Sequence, residues 1–434
     1  MKAGFISLGC NKNLVDTEKT IALFKEHGYE IVNNPKEAEI IIINTCGFIE
    51  SAKEEAINTI LEMAEYKKQN CKYLIAMGCL VERYKKELEK SIPEVDLYIK
   101  YSEYNNLWEQ IEDLLKSKQK EKVDFNKYTD RVITTGPNYA YIKIADGCSN
   151  CCTFCAIPKI RGIQKSRTIE SIVEEANNLA DQGYEEIILT AQDTTRYGQD
   201  IYGEPKLAEL LQEICKIDKI KWIRILYSYP ETITDKLIKV IKENEKICNY
   251  FDIPIQHISD SVLKRMNRKS NGESIRKLIQ KLRKEIPNVI LRTTVMVGFP
   301  GETQENFEEL YNFLKEAKFD KLGAFMYSKE EGTAAEKMPN QVHPSTKKSR
   351  YNKIMKLQQE ISRQNLQNKI RTVQKVRIDG ITKNQKFYVG RSYMDVPEID
   401  GVVYIKNTTK LELGNWINCK ITDIKDYDLV GEID

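Results

Sequence analysis

Three cysteines near the middle of the chain, Cys148, Cys152 and Cys155, have a spacing suited to metal chemistry. They follow the pattern C-x3-C-x2-C, and Phe154 stands directly before the last thiol. Three thiolates can hold a four-iron, four-sulfur cluster through three of its irons, which leaves the fourth iron open to a small-molecule ligand. An open coordination position is typical of a metal site that performs chemistry. We call these three residues the central trio.

Cys151 lies between two of these thiols and offers an alternative. With Cys148 it forms a C-x2-C pair, which is a common zinc-binding spacing. A structural zinc site needs four ligands, however, and no second close pair of Cys or His stands nearby. We therefore interpret Cys151 as a bystander. A zinc-containing, non-catalytic RNA-binding protein stays open as the alternative from a different functional class.

A second group of thiols precedes the first. Cys10, Cys46 and Cys79 each come just after a predicted strand, whereas Cys71 comes just before one. In an open parallel sheet the carboxyl ends of the strands share one edge, and ligands bind there. The first three, which we call the amino-terminal trio, are therefore predicted to converge as metal ligands. The alternative is that they are small, buried core residues.

Alternating strand-like and helix-like segments predict the domains that position these thiols. Residues 1–125 predict an open parallel sheet covered by helices, and a charged stretch at 116–122 predicts a linker. Residues 134–365 contain six further strand–helix units, which predict a partial or complete α/β barrel of the TIM type. Residues 372–434 hold short strands separated by turn residues and predict a small, five-stranded β-barrel of the oligonucleotide-binding type.

The composition argues against several functional classes. The 434 residues include 67 basic and 64 acidic side chains, so the net charge is only +3. That balance provides no overall field for nucleic acid or a membrane surface, and no apolar run reaches the roughly 20 residues of a membrane helix. The short apolar start is interpreted as a buried strand rather than a signal peptide. Eleven cysteines in such a chain predict a reducing, cytoplasmic location, where clustered cysteines bind metal.

Segments after other predicted barrel strands offer further candidates, because active sites lie at that end of a barrel. The turn at Gly298 lets backbone approach a ligand closely, and Gln192 follows the strand predicted at 186–189. His257 also follows a predicted strand, and it either contacts substrate or is a hydrogen-bonded structural histidine.

The central trio, with its preceding Phe154, resembles the signature of radical S-adenosylmethionine (SAM) enzymes. The amino-terminal trio ahead of it and the small β-domain behind it, which looks like a TRAM domain, resemble the methylthiotransferases over essentially the whole chain. Within that group the resemblance is closest to the RimO type. The stretches that carry it are SLGCNKNLVD (7–16), NTCGFI (44–49), AQDTTRYG (191–198) and YSKEEGT (327–333). Asn11 departs from the pattern, which usually has proline at that position.

The resemblance implies SAM and two four-iron clusters, one on each trio, as cofactors. SAM at the central cluster would be cleaved by one electron, and the resulting 5′-deoxyadenosyl radical would take hydrogen from an aspartate β-carbon. An unactivated C–H bond has no acidic proton, so a radical cofactor must carry this step. The amino-terminal cluster would supply a sulfur that is already methylated. Phe154 is implied to pack beside the adenine edge, and Gln192 and the Gly298 turn are implied SAM contacts.

The resemblance also implies partners: ribosomal small-subunit protein twelve as substrate, and flavodoxin or ferredoxin as electron donor. The chain is expected to act as a monomer. A transfer-RNA adenosine methylthiotransferase is the alternative within the same class. The small terminal domain carries nine basic and ten acidic side chains between residues 372 and 434, whereas an RNA-binding face should be visibly basic. This balance favours a basic ribosomal protein as substrate.

Overall fold

The computed structural model describes residues 1–115, 125, 128, 130–136, 138–407 and 409–434. An open parallel sheet, a partial α/β barrel and a small closed β-barrel follow one another along the chain, which confirms the predicted fold class. The predicted linker at 116–122 lies outside the described residues, and the domain limits at 1–125, 134–365 and 372–434 stay predictions. No helix among the described residues is long and apolar enough to cross a membrane.

The amino-terminal domain is a five-stranded parallel sheet with the strand order β2-β1-β3-β4-β5. Its strands are β1 (Lys2–Ser7), β2 (Glu30–Val32), β3 (Ile40–Thr45), β4 (Tyr73–Gly78) and β5 (Leu97–Lys100). Its helices are α1 (Asn11–Glu26), α2 (Glu50–Ala64), α3 (Cys79–Ser91) and α4 (Leu107–Leu115). All six residues of β3 are buried, as expected for a central strand covered on both faces. The order reverses between β1 and β3, and the crevice at such a switch point is where open α/β sheets bind ligands.

Two edge strands of this sheet, β2 and β5, were not predicted from the sequence. They are three and four residues long, too short for the alternation of apolar and polar side chains to identify them. Helix α1 also begins at Asn11, five residues before the helical spacing recognised at 16–26. Its N-cap is Cys10, whose side chain makes no capping hydrogen bond, so the usual Ser, Thr, Asp or Asn start signal is missing.

The central domain is a partial barrel of six parallel strands in two sheets, β10-β9-β6 and β11-β12-β13. One isolated bridge between Ile223 and Ile247 connects the two sheets. The strands are β6 (Tyr139–Lys143), β9 (Glu186–Thr190), β10 (Trp222–Ile225), β11 (Tyr250–Gln256), β12 (Ile290–Val297) and β13 (Lys321–Met326), and a short ribbon is formed by β7 (Ala145–Asp146) and β8 (Lys165–Ser166).

Helices cover the outer face of these strands. They are α5 (Ile157–Ile160), α6 (Ile169–Asp181), α7 (Gln199–Tyr202), α8 (Leu207–Cys215), α9 (Asp235–Glu243), α10 (Asp260–Arg265), α11 (Gly272–Glu285), α12 (Gln304–Ala317) and the long α13 (Pro344–Gln367). Helix α6 illustrates why they form. The Thr168 side chain caps it by accepting from the backbone N–H of Ser171, and Ile172, Ala176 and Leu179 recur at helical spacing and are buried against the strands.

The carboxy-terminal domain is a closed five-stranded barrel with the order β14-β15-β16-β18-β17. Its strands are β14 (Val373–Ile381), β15 (Phe387–Arg391), β16 (Val403–Lys406), β17 (Trp416–Lys425) and β18 (Asp428–Ile433). It packs at the amino ends of the central strands, where Glu186, the first residue of β9, accepts from Arg224 at 2.5 Å and from Arg391 at 2.9 Å. Both arginines and Glu186 are buried. The small barrel therefore lies at the end of the central barrel opposite to the cysteine loops.

Candidate active site

The central trio occupies the loop after β7, beyond the carboxyl end of β6. Cys148 and Cys152 are buried and Cys155 is partly exposed. A turn closed by the backbone N–H of Cys155, which donates to the Cys152 carbonyl at 3.0 Å, keeps two of the thiols close. Burial raises the pKa of Cys148 to about 11 and that of Cys155 to about 12, and the Cys152 thiol contributes to both increases. Bound iron would reverse this shift, because a coordinating thiol deprotonates.

Two side chains from neighbouring barrel segments face Cys152. The Nη1 atom of Arg268 lies 3.9 Å from the Cys152 Sγ atom, and the Tyr229 hydroxyl lies 4.0 Å from it. The guanidinium also stacks on the Tyr229 ring, with its carbon 4.2 Å from the ring centre. A buried cation beside a thiol favours the thiolate form, which is the form that binds metal.

Cys151 points away from the trio. Its backbone has φ = 53°, an uncommon left-handed conformation for a residue with a side chain, and the residue is exposed. Its Sγ atom has the Ser149 carbonyl as a weak acceptor at 3.7 Å. This placement agrees with the interpretation of Cys151 as a bystander.

The amino-terminal trio lies at the carboxyl edge of the open sheet. Cys10 follows β1 as the N-cap of α1, Cys46 follows β3, and Cys79 is the first residue of α3 after β4. The chain packs tightly here, since a Cβ atom added to Gly9 would lie 2.9 Å from the Cys46 Sγ atom. Burial raises the pKa of Cys46 to about 11, and the neighbouring Cys10 and Cys79 thiols contribute to the increase. The sheet therefore brings these three thiols together.

Cys71 lies at the other end of β4, as its position before the strand predicted. It is buried, and its thiol donates to the Tyr73 carbonyl at 3.3 Å. The remaining cysteines, Cys215, Cys248 and Cys419, belong to the packing of the central and carboxy-terminal domains. None of these four thiols faces either trio.

A cavity of about 650 Å³ opens between the two cysteine-bearing domains. Residues 48–51, just after Cys46, line one side of it. Phe154 of the central loop lines the other side, together with Met296 and Phe325 at the carboxyl ends of β12 and β13. A pocket of this size at the active-site end of a barrel, with mostly apolar walls, is typical of a substrate or cofactor site.

Comparisons with known proteins agree with this arrangement. Residues 142–314 match the Radical SAM superfamily, residues 2–100 match the Uncharacterized protein family UPF0004, and residues 371–433 match the TRAM domain. A protein of Alkaliphilus oremlandii (strain OhILAs) named "Ribosomal protein uS12 methylthiotransferase RimO" is 62% identical over 434 residues, covering 100% of this chain and 99% of that protein. A Clostridium novyi (strain NT) protein of the same name is 51% identical over 439 residues, covering 100% and 98%.

The chain belongs to the RimO methylthiotransferase family. It is a radical SAM enzyme, and its cofactors are SAM and four-iron, four-sulfur clusters. Solved structures of more distant radical SAM enzymes share the fold alone. The methyltransferase TsrM from Kitasatospora setae has a TM-score of 0.55 at 13% identity and covers 75% of this chain and 74% of its own. The cobalamin-dependent enzyme OxsB has a TM-score of 0.54 at 14% identity and covers 77% and 54%.

The residues present fit the clusters of this family. Each trio offers three thiols and no carboxylate or imidazole, a soft donor set that suits iron–sulfur clusters. Cys10 and Cys79 stand at helix N-termini, where the helix dipole favours negative charge such as that of a bound anionic cluster. Among the residues that the structure describes, no group of three or more His, Cys, Asp and Glu side chains is arranged to hold a single metal ion.

Four charged side chains, three of them buried and that of Asp146 partly buried, connect α1, the helix that begins after Cys10, with the central barrel. Lys143 donates to Asp16 at 2.5 Å and to Asp146 at 2.6 Å. Arg161 donates to Asp16 at 3.1 Å and to Asp146 at 2.8 Å. Burial alone would raise the pKa of Asp146, but Arg161 and Lys143 hold it well below its ordinary value. Two cations and two carboxylates thus balance one another inside the domain interface.

Arg161 extends this network to the amino-terminal trio. Its Nη2 atom donates to the Asn13 Oδ1 atom at 2.5 Å, and the same oxygen lies 3.6 Å from the Cys79 Sγ atom. The Asn13 amide in turn donates to the carbonyls of Leu8 and Thr45, next to the loops that carry Cys10 and Cys46. The loops of the trio are therefore tied to one buried asparagine.

Lys12 is a further buried cation at the domain interface. It leaves α1 two residues after Cys10 and reaches the Ala191 carbonyl, with 3.4 Å between Nζ and O. Its ammonium lies 3.5 Å from the centre of the Tyr227 ring. Burial lowers the pKa of Lys12.

Of the proposed SAM contacts, Phe154 and Gln192 lie near the central trio. Phe154 lines the cavity and meets Phe299 edge-to-face, with 6.3 Å between the ring centres. Gln192 donates to Asp146 at 3.0 Å, while its own side-chain carbonyl oxygen is buried and has no hydrogen-bond partner among the described residues. A buried acceptor without a hydrogen bond destabilises the fold, so such atoms are rare. This oxygen is therefore available to accept a hydrogen bond from a bound ligand.

Gly298 and His257 lie farther into the protein scaffold. Gly298 has φ = 73°, and its N–H donates to Glu302 at 2.5 Å. His257 is fully buried, and its Nδ1 atom accepts from the backbone N–H of Ser259 at 3.0 Å. Burial lowers the pKa of His257 to about 3, helped by Arg350. His257 is thus the hydrogen-bonded structural histidine of the two alternatives.

The charged residues at the interface were not identified from the sequence. They include Lys12, Asp16, Lys143, Arg161 and Arg268. The only feature that could have indicated them is the set of charged residues on the face of α1 that packs against the barrel. Lys12, Asp16 and Glu18 of this helix are all buried. Buried charges are expected only where they are paired or bind a ligand.

Proposed function

We propose that this chain attaches a methylthio group to the β-carbon of an aspartate in ribosomal protein uS12, the substrate named for its relatives. The observation that carries the proposal is the cavity between the two cysteine-bearing domains. Phe48 and Ile49, after Cys46, form one wall, and Phe154, before Cys155, contributes to the other. A substrate side chain in this cavity would lie between the two trios.

In this proposal the central trio holds one cluster and the amino-terminal trio holds the other. Bound SAM supplies the radical chemistry that an unactivated C–H bond requires. The chain's own residues position the reactants. Phe154 lines the cavity, Gln192 offers its free side-chain carbonyl oxygen, and the Arg268 guanidinium lies 3.9 Å from the Cys152 sulfur atom. The apolar walls at Met296 and Phe325 exclude water from the space between the trios.

The charge of the TRAM domain supports a protein substrate over transfer RNA. Its ten acidic side chains outnumber its nine basic ones, and two of the basic residues are turned inward. Arg391 pairs with Glu186, and Arg377 lies 3.2 Å from Glu185, both on the central barrel. These two arginines are buried and cannot contact phosphates. The side chains of Asp395 and Asp400 are turned inward as well, at 6% and 4% exposure. The surface left to a partner therefore keeps the slightly acidic balance of the whole domain, which suits a basic ribosomal protein.

We further propose that flavodoxin or ferredoxin supplies the electron, and that the chain acts as a monomer in the cytoplasm. The eleven cysteines, none of them in a disulfide among the described residues, support a reducing compartment.

Mass spectrometry of uS12 and of total transfer RNA from a deletion strain tests the substrate. We expect the methylthio group to be missing from uS12 and transfer RNA to be unchanged. Complementation with the intact chain should restore the modification, and complementation with Cys152→Ala should not. Loss of a transfer-RNA modification with intact uS12 would reverse the assignment.

A further inference from the structure

Lys12 reaches from the amino-terminal domain into the active-site end of the barrel. The carbonyl that it meets, that of Ala191, comes directly after β9, and Tyr227 under its ammonium comes two residues after β10. In α/β barrels the carboxyl ends of the strands carry the reactive groups. Lys12 also stands two residues from Cys10 in the sequence. Its side chain therefore lies between the amino-terminal trio and the mouth of the barrel.

The charge of Lys12 is not balanced by the described residues around it. The residue is only 7% exposed, yet no carboxylate of the described residues lies within ion-pair distance of its Nζ atom. One long hydrogen bond and one aromatic face are its contacts, although an ammonium has three N–H donors. Lys143 and Arg161, buried in the same interface, each pair with both Asp16 and Asp146. Lys12 alone among these three cations has no ion-paired carboxylate among the described residues, and the charges of Cys10, Asp146 and Asp252 only partly offset its burial.

A buried, unpaired ammonium is costly and is expected where a ligand completes the charge balance. The proposed reaction brings such an anion to the mouth of the barrel, because the target carbon of an aspartate is bonded directly to its carboxylate. That carboxylate must leave water to enter the interface between the two domains, where Lys12 is buried, and it needs a cation there for the same reason.

We infer that the Lys12 ammonium binds the carboxylate of the target aspartate and so fixes the position of the adjacent β-carbon. This inference rests on the proposed function, and it makes Lys12 the residue by which the enzyme distinguishes aspartate from uncharged side chains. A site built to pair with a polar group rejects an analogue that lacks it much more strongly than an apolar pocket rejects a small change in size.

The test compares two substrates on four enzymes. The substrates are uS12 and uS12 with the target aspartate replaced by asparagine, which keeps the shape and removes the charge. The enzymes are the wild type, Lys12→Gln, Lys12→Met and the control Lys25→Gln, which removes an exposed cation from the last turn of the same helix. All four are reconstituted anaerobically, and iron is counted first. Dissociation constants and kcat/KM are then measured for both substrates.

We expect the wild type and Lys25→Gln to favour aspartate over asparagine by at least about 30-fold, the effect of truncating one partner of a buried charge pair. In Lys12→Gln and Lys12→Met this ratio should fall to near one. An unchanged ratio in both variants would overturn the inference. If both variants lose iron and cannot be compared, the wild type alone still tests the inference. A wild-type preference for aspartate over asparagine close to one would overturn it.

Two other outcomes are distinguishable. A raised KM for SAM with an unchanged substrate ratio would mean that the SAM carboxylate is the anion at Lys12, and the inference would be wrong. If the wild type does not modify uS12 at all, the proposed function fails and the inference fails with it. If the wild type does modify uS12 and only the ratio test fails, the proposed function survives.

Discussion

Replacing Asp16 by asparagine should loosen the contact between α1 and the barrel. Asp16 is fully buried and accepts from Lys143 at 2.5 Å and from Arg161 at 3.1 Å. The four-residue network is neutral in the wild type, because Asp146 balances the second positive charge. The substitution keeps the shape of the side chain but leaves one positive charge uncompensated inside the interface.

The size of the effect follows from this burial. Removing one partner of a buried ion pair costs about 3–5 kcal/mol, because the remaining charge stays buried without compensation. At 1.36 kcal/mol for each factor of ten, the opening equilibrium of α1 should shift by roughly 100- to 4,000-fold. Lys12, also a buried cation in this interface, makes relaxation of the surplus charge harder.

Native-state hydrogen exchange measures this opening directly, because protection of the α1 amides reports its local free energy. The control is Glu26→Gln, which removes a carboxylate from the exposed end of the same helix and should leave exchange unchanged. If the α1 amides of Asp16→Asn exchange no more than about fivefold faster than wild type, the network does not hold the domains together and this reasoning is wrong.

Three further predictions concern acid stability and the cofactors. Burial would raise the pKa of Glu186, but Arg391 and a second arginine hold it at about 2, against about 4.3 unfolded. The ionised carboxylate therefore contributes its full stabilisation above about pH 4.3, and this contribution is lost as the pH falls towards 2. Urea unfolding should show that Glu186→Gln lowers the free energy of unfolding by about 3 kcal/mol at neutral pH and removes this pH dependence. Cys152→Ala should abolish SAM cleavage, whereas Cys46→Ala should retain measurable cleavage and lose sulfur transfer; methylthiolation by Cys46→Ala would refute the assignment of the amino-terminal trio. Phe154→Ala should weaken SAM binding about tenfold with iron retained, as measured by equilibrium dialysis.

The convergence of the amino-terminal trio could be predicted because it depends only on strand direction. Parallel strands end at one edge, so Cys10, Cys46 and Cys79 had to meet if the apolar runs before them were strands. Cys71 was excluded by the same rule, and the structure places it at the other end of β4. The observed strand order shows in addition that Cys10 and Cys46 lie on either side of the switch point between β1 and β3. The sequence pattern alone does not give this order.

The buried charges could not be predicted, because each depends on a partner that is distant in the chain. Asp16 and Lys143 are 127 residues apart, and Asp16 and Arg161 are 145 apart. A charged residue on a helix usually faces solvent, and no local signal distinguishes Asp16 from exposed Glu26. The inward placement of Arg377 and Arg391 escaped the sequence for the same reason.

Iron and acid-labile sulfide analysis of the anaerobically purified chain tests the central claim most directly. The account predicts about eight irons and a matching amount of sulfide per chain, from two four-iron clusters. Cys46→Ala should lower that number by about half through loss of the amino-terminal cluster. Zinc in place of iron, or about four irons in both the wild type and Cys46→Ala, would contradict it.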